Sequence, residues 1–411
     1  LLLLIPLQMI KSFIKDRENR KRATVNEISS KWGGIQTLTG PVLSIPYNHY
    51  FRDKDDKLIK VIKYAFFLPE DLLVTGKITP EIRYRGIYKV IVYNANLQIS
   101  GFFESPDFNE WEIADENILW NRAGISVGIN DLKGIENYLE LKWNKDNIPF
   151  EPGVKNTVLF DSGVSVPVKI SRVKKGDKGS RNYRYSFDLE LNGSHSLNFI
   201  PLGKETEVKL ESNWSNPSFY GNFLPDKRSV TDDGFTAEWR VLHFNRNYPQ
   251  KWLSKKQDLM GSSFGVKLLL AVDKYRKTMR TIKYGILFIL LTFLIFFFVE
   301  ILNRKNIHPF QYILVGLTLT IFYSFLLALS EYMSFNLSYL LAGSVIIGLI
   351  TAYSVYIYKN LILTGATGAF LFILYLFIFI ILQLQDYAFL LGNIGLIIVV
   401  GVVMFISRNI N

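Results

Sequence analysis

Apolar residues crowd into five near-continuous runs after Lys283, at 284–302, 310–329, 337–358, 369–384 and 387–406, with short polar breaks between them. Each run is about as long as the roughly 20 residues that cross a bilayer core. Without water a segment must satisfy its own backbone hydrogen bonds, so each run reads as a spanning helix. The front of the chain repeats the signal in short form. Residues 1–10 are apolar but too few to span, and they lack an initiator Met. Residues 1–14 are read as the outer end of a first transmembrane helix whose beginning lies outside the sequence. A cleaved signal peptide is the rival, but no small-residue cleavage site follows.

Between these apolar ends the period changes. Residues 15–34 continue the first helix as a charged stalk, with Val25, Ile28 and Trp32 at helical spacing and Gly33-Gly34 ending it. From 35 to 283 the period is two. It is plain at 94–100 and 183–191, and further strands are predicted at 60–68, 88–93, 164–173, 207–211, 235–242 and 264–272. Asn192-Gly193 predicts a tight hairpin with 197–200 as the return strand. The charged stretch 174–181 reads as a loop. The expected architecture is therefore a membrane protein: a large, mainly-β, sandwich-like soluble domain (35–283) inserted after an N-terminal transmembrane helix and followed by a five-helix transmembrane bundle (284–411).

Charge sharpens this division. Of 47 Lys and Arg only Arg304, Lys305, Lys359 and Arg408 lie beyond Lys283, and of 36 Asp and Glu only Glu300, Glu331 and Asp386, which leaves the front part at +10. Such a balance suits polyanions, although acids are interspersed throughout and a solvated Lys-rich surface accounts for it equally. The partner expected is the lipid bilayer, with anionic lipids or envelope polymers and no nucleic acid; the sequence names no protein partner. The breaks alternate. The one at 303–309 holds two basic residues, 330–333 none, Lys359 marks the third, 385–386 has none, and Arg408 follows the last run. By the charge bias of short loops this places 303–309, Lys359 and the C-terminus in the cytoplasm and the large domain in the periplasm. Lys274, Arg276, Lys277, Arg280 and Lys283 run against the rule, which long translocated domains escape.

Catalytic motifs are scarce. With no Cys there is no thiolate nucleophile and no Cys-based metal site. Gly261-Ser262-Ser263-Phe264-Gly265 matches the nucleophile-elbow pattern, but polar residues precede it and a strand is predicted after it, so Ser263 reads as an ordinary turn residue. His49, His195, His243 and His308 fall in no zinc-binding pair, and no nucleotide-binding loop is present. No catalytic residue, metal ligand or cofactor is expected.

Two stretches remain as candidates. Glu300 lies four residues before Arg304, the favourable order for a helical ion pair, with His308, Pro309, Gln311, Tyr312, Ser330 and Glu331 beyond it. The group reads either as a structural anchor at a helix end or as a coupling carboxylate, since charge within a membrane is costly and often functional. In the domain, Trp214, Pro217, Phe219, Tyr220 and Phe223 set aromatic rings among turn formers; they either close the end of the sandwich or form an exposed interaction loop.

The segments around Glu300, 308–317, 322–323 and 326–331 resemble the membrane signature of the CreD family of bacterial inner-membrane proteins. Gly40-Pro41, Ile45-Pro46, 67–70, 85–88, 212–219 and 221–225 resemble that family's soluble blocks in the same order. The chain departs from the pattern at its ends, where the front helix is short and no charged tail follows Asn411. The resemblance implies a multi-pass inner-membrane protein with a periplasmic domain, associated with cell envelope integrity and colicin tolerance, and with no established enzymatic activity. Two other readings compete with it. One is a transporter or channel for an envelope component, which a polar cavity at mid-membrane would favour; the other is a membrane receptor relaying a periplasmic signal.

Overall fold

The alternation seen in the sequence becomes two sheets in the computed structural model of the protein, which describes residues 4–154, 158–171, 182–270, 274–303, 306–384 and 387–408. The predicted charged loop at 174–181 lies outside the described residues. Two units are distinct, Leu1–Arg22 with Val272–Asn411, and Ala23–Ala271.

The strands of the second unit are β1 (Gln36–Arg52), β2 (Leu58–Phe67), β3 (Asp71–Arg85), β4 (Tyr88–Phe103), β5 (Gly124–Ile129) and β6 (Glu140–Trp143). Next come β7 (Asp146–Pro149), β8 (Glu151–Pro152), β9 (Gly163–Pro167), β10 (Tyr183–Ser194), β11 (Ser196–Phe199) and β12 (Glu205–Ser212). The last are β13 (Pro217–Gly221), β14 (Lys227–Thr231), β15 (Gly234–Leu242), β16 (Lys251–Leu253) and β17 (Phe264–Leu268). One sheet runs β13-β17-β11-β1-β5-β9-β8, with β2 on β1 and β16 on β2; the other runs β14-β15-β12-β3-β4-β10-β6-β7. Alternate side chains from both, among them Val42, Ile45, Phe66, Val74, Leu97, Phe187, Val208, Trp239 and Phe264, form one buried core. In β12, β15 and the first part of β10 the period of two buries one face and exposes the other, whereas β1 as far as Tyr47 and all of β5 are buried on both faces.

The Asn192-Gly193 hairpin is corrected. β10 continues through both residues, paired with Asn94 and Tyr93 of β4, and the left-handed residue is His195 at φ 64°. The chain then changes sheets, and β11 pairs in parallel with β1 instead of returning along β10. The reason is packing. The Asn192 amide accepts from Asn94 and donates to Glu136, and a Cβ on Gly193 would lie 2.3 Å from the Tyr93 hydroxyl. Glycine is needed there for the close approach of a ring rather than for a turn. Burial, with Lys267 nearby, pushes the His195 imidazole below its usual range.

The helices are α1 (Leu4–Trp32), α2 (Lys274–Lys283), α3 (Gly285–Leu302), α4 (Pro309–Tyr332), α5 (Phe335–Tyr358), α6 (Leu361–Gln383) and α7 (Ala388–Ser407). α1 ends where the glycines predict: Gly33 takes φ +135°, and a Cβ there would meet the Asn192 carbonyl at 2.5 Å. Of the five predicted C-terminal spans, four are matched by length and composition. Among the described residues four helices, α3 to α6, are long and apolar enough to cross a membrane, and the apolar part of α7, Leu390–Phe405, is shorter. α6 also starts eight residues before the predicted 369. Asn360 caps it by accepting from the Ile362 and Leu363 N–H groups, so Thr364, Gly365, Thr367 and Gly368 lie within the helix.

Candidate functional site

The break between α3 and α4 is built by capping. The Nδ1 atom of His308 accepts from the Phe310 N–H at 3.2 Å, and the Gln311 side chain accepts from the His308 N–H at 3.1 Å, a reciprocal box. Pro309 at the first helical position has no N–H to leave unsatisfied. This fixes the first turn of α4, from which Tyr312 reaches back to α3. Its hydroxyl donates to Glu300 at 2.6 Å, and the Ile307 N–H donates to the other carboxylate oxygen at 3.4 Å. Tyr312 is held edge-on by Phe293, with ring centroids 5.6 Å apart, and Phe296 also contacts the Tyr358 ring at 5.5 Å.

Glu300 therefore ties α3 to α4 through a hydrogen bond in the short range of charged acceptors, worth about 1.5–3 kcal/mol. Sequence spacing pointed instead to Arg304, which lies outside the described residues, as does Lys305. A tyrosine twelve positions along the chain carries no local signal as a partner.

Ser330 and Glu331 lie in the last turn of α4, not in a loop, which corrects the predicted break at 330–333. The Ser330 hydroxyl donates to the Leu327 carbonyl at 2.8 Å. Glu331, with its side chain 10% exposed, pairs with Arg17 of α1 at 3.6 Å. Nearby helix ends are tied in the same way. Arg280 of α2 donates to the Leu384 carbonyl after α6 at 3.3 Å, and Gln383 donates to Asn336 at the start of α5 at 2.7 Å. Arg17 and Arg280 thus share one end of the helices with the breaks after α4 and α6. The Glu300–Tyr312 corner is at the other end, with the break after α5.

Inside the bundle sequence reading missed a tyrosine nest. Tyr375 packs against Phe288 and Phe322, with centroids 4.6 and 5.0 Å apart, and Tyr339 contacts Phe322 at 5.5 Å. The Tyr339 hydroxyl donates to the Tyr375 carbonyl at 2.9 Å. The hydroxyls of Tyr323, Tyr375 and Thr292 are buried without a protein partner. Single tyrosines within long apolar runs look like packing residues, which is why they escape a pattern search. Buried Phe296, Leu319, Ile346, Ile350 and Leu371 form the bundle core together with this nest and the Tyr358 layer.

The middle of the aromatic segment is an edge strand, with Trp214 before it and Phe223 after it. β13 begins at Pro217 and pairs along β17. Phe219 meets Phe235 and Trp239 edge-on at 5.6 and 5.7 Å, and Phe223 meets Phe264 at 5.8 Å. The Trp214 indole donates to the Leu269 carbonyl, and the Tyr220 hydroxyl donates to the Asn198 side chain. Trp214, Phe219 and Phe223 pack against the core of the domain, and Tyr220 is the exposed ring of the group. The serine motif is a short turn over Met260–Ser262 that leads directly into β17, the reverse of the strand-turn-helix order a nucleophile requires. Ser262 is hydrogen-bonded to Tyr248 and to the Leu259 carbonyl. Among the described residues no group of three or more His, Asp or Glu side chains is arranged to hold a metal ion.

Two comparisons bear on this arrangement. The family profile described as "Inner membrane protein CreD" matches residues 1–411. The chain is also similar to the inner membrane protein CreD of Escherichia coli (strain K12), at 34% identity over 421 residues that cover 100% of this chain and 91% of that protein.

Proposed function

The chain belongs to the CreD family of inner membrane proteins, and from that premise we propose that it is a non-enzymatic, multi-pass inner-membrane protein that supports cell envelope integrity under stress. In this reading α1 and α7 cross the membrane along with α3 to α6. The β-rich domain is periplasmic, and the C-terminus is cytoplasmic. The protein takes no cofactor, and the bilayer is its first partner.

The observation that supports this reading best is the two-sidedness of the bundle. The ends of α4 and α6, whose breaks lack Lys and Arg, share a side with Arg17 and Arg280, which flank the inserted domain in sequence. The Glu300–Tyr312 corner and Lys359 at the end of α5 are at the other end of the helices, and in sequence the breaks at that end are the short ones that carry Lys or Arg, which supports a cytoplasmic location for them. Glu300 serves here as a helix tie. Complementation of a deletion strain under envelope stress, with membrane abundance measured in parallel, tests this role. Glu300→Gln retains at least part of the function if the carboxylate is a tie. Complete loss at normal abundance would make it a coupling group and turn the reading toward a transporter. One feature favours the receptor reading: α1 is a helix from Leu4 to Trp32, with Ile14 in the core of the helical unit and, within the β-rich unit, the Trp32 indole donating to the Tyr93 carbonyl.

A further inference from the structure

The hairpin of β1 and β2 outruns the sheet that carries it. Pairing of β1 with β5 stops at Ser44, a single bridge joins Tyr47 to Ile118, and pairing of β2 with β16 stops at Ala65. Among the described residues, 48–52 and 58–63 pair only with each other, from Asn48↔Ile62 to Arg52↔Leu58. This ribbon presents Tyr50, Phe51, Leu58, Val61 and Ile62 at 42, 44, 63, 38 and 42% exposure. A two-stranded ribbon is marginal in water by itself, its open edges invite another strand, and its exposed apolar side chains flank the strands on both faces, Tyr50, Leu58 and Ile62 on one and Phe51 and Val61 on the other.

The ribbon lies at the end of the domain remote from both chain connections. Gln36 at the start of β1 pairs with Leu197, next to Ser196, which pairs with Lys267 near the end of β17. At about 3.3 Å per residue, Phe51 is then roughly 50 Å from that end along β1. Its acids, Asp53, Asp55 and Asp56, cluster in the turn, where Asp56 is paired with Arg52 at 2.8 Å. Along the strand β2 the charges are Lys60 and Lys63, with no carboxylate at ion-pair distance among the described residues.

We propose that the free edge of β2 at 58–63 is a docking site for an extended segment of another protein, one that carries acidic residues among apolar ones, on both of its faces, and adds as a strand. Backbone groups along an open edge need hydrogen-bond partners, which a strand supplies and lipid hydrocarbon does not. A second copy pairing through the same stretch supplies no carboxylate to Lys60 or Lys63, because 58–63 contains no acidic residue. An acidic strand complements the lysines, and apolar side chains cover Leu58 and Ile62.

The test is photo-crosslinking in cells, with benzoylphenylalanine in place of Phe51 or Ile62 in the full chain and Tyr138, which is 100% exposed, as the control position. The expected product joins the chain to a different polypeptide, and sequencing of the linked segment shows acidic residues among apolar ones. Adding Lys60→Glu and Lys63→Glu lowers the yield about tenfold at unchanged membrane abundance. Lys60 is exposed and Lys63 half-buried, and the unchanged abundance shows that the fold tolerates the change. No adduct above the Tyr138 control, a product with the mass of two copies, a lipid adduct, or a yield indifferent to the charge reversal would each overturn the proposal.

Discussion

Removing the Tyr312 hydroxyl isolates the bond that ties α3 to α4. In Tyr312→Phe the ring keeps its edge-on contact with Phe293, while Glu300 loses its 2.6 Å donor and keeps the 3.4 Å contact from the Ile307 N–H. A hydrogen bond to a charged acceptor contributes about 1.5–3 kcal/mol, so the substitution should cost about 2 kcal/mol, or a factor of about 30 in the opening equilibrium. Glu300→Gln retains an acceptor, and its bond to Tyr312 falls to the neutral range of about 1 kcal/mol. Tyr312→Phe made in that background should therefore cost less by about 1 kcal/mol, the coupling a double-mutant cycle measures. The natural chain has no cysteine, so a thiol at Ala342→Cys, buried in α5, reports opening of the bundle by its labelling rate in lipid nanodiscs. Where reclosing outpaces labelling, the rate follows the opening equilibrium. The reasoning fails if Tyr312→Phe raises labelling less than twofold, or raises it equally with Glu and Gln at position 300.

The same thiol tests the tyrosine nest. Tyr323→Phe and Tyr375→Phe each remove a buried hydroxyl that has no protein partner, and should slow labelling several-fold, a gain of about 1 kcal/mol; faster labelling would contradict the dry packing inferred for the nest. All seven Trp residues lie between positions 32 and 252, so Trp fluorescence follows the β-rich unit separately. By that signal Gly193→Ala should lower the denaturant midpoint, at a cost of about 1–3 kcal/mol, because its Cβ would overlap a Tyr93 ring held by a 2.8 Å bond to the Ser196 carbonyl; an unchanged midpoint would show that the ring moves freely. Burial depresses the His195 pKa, so the unfolded chain binds its proton first. The contribution of His195 should be fully present above the usual imidazole range of about 6.5 and should diminish as pH falls through it. His195→Gln should flatten the Trp-detected melting profile between pH 8 and 5, and an equally steep profile would exclude this residue as the source.

What could be read in the sequence follows from range. Alternation along one strand is local, so Tyr183 to Leu191 and Glu207 to Glu211 give their faces directly. Helix caps are local as well, which is why Gly33 marks the end of α1 correctly. Asn192-Gly193 misleads because the signal of a turn and the space needed by a neighbouring ring both call for glycine; only the position of Tyr93, a hundred residues earlier, separates them. Thr364 and Thr367 look like a break because hydroxyls lower the hydropathy of a run, yet they donate to the Asn360 and Leu363 carbonyls four residues back and remain helical. Glu300 was found as a candidate from its rarity in an apolar run. Its partner was not, because Tyr312 reaches it through the geometry of the α3–α4 corner.

Sidedness decides the account most directly. In spheroplasts, chains carrying a single cysteine at Lys305→Cys or Ser334→Cys are exposed to a maleimide that cannot cross the membrane. Position 334, in the break after α4, should label from outside, and position 305 should label only after the membrane is permeabilised. Labelling of 305 and protection of 334 in intact spheroplasts would contradict both the orientation and the periplasmic domain.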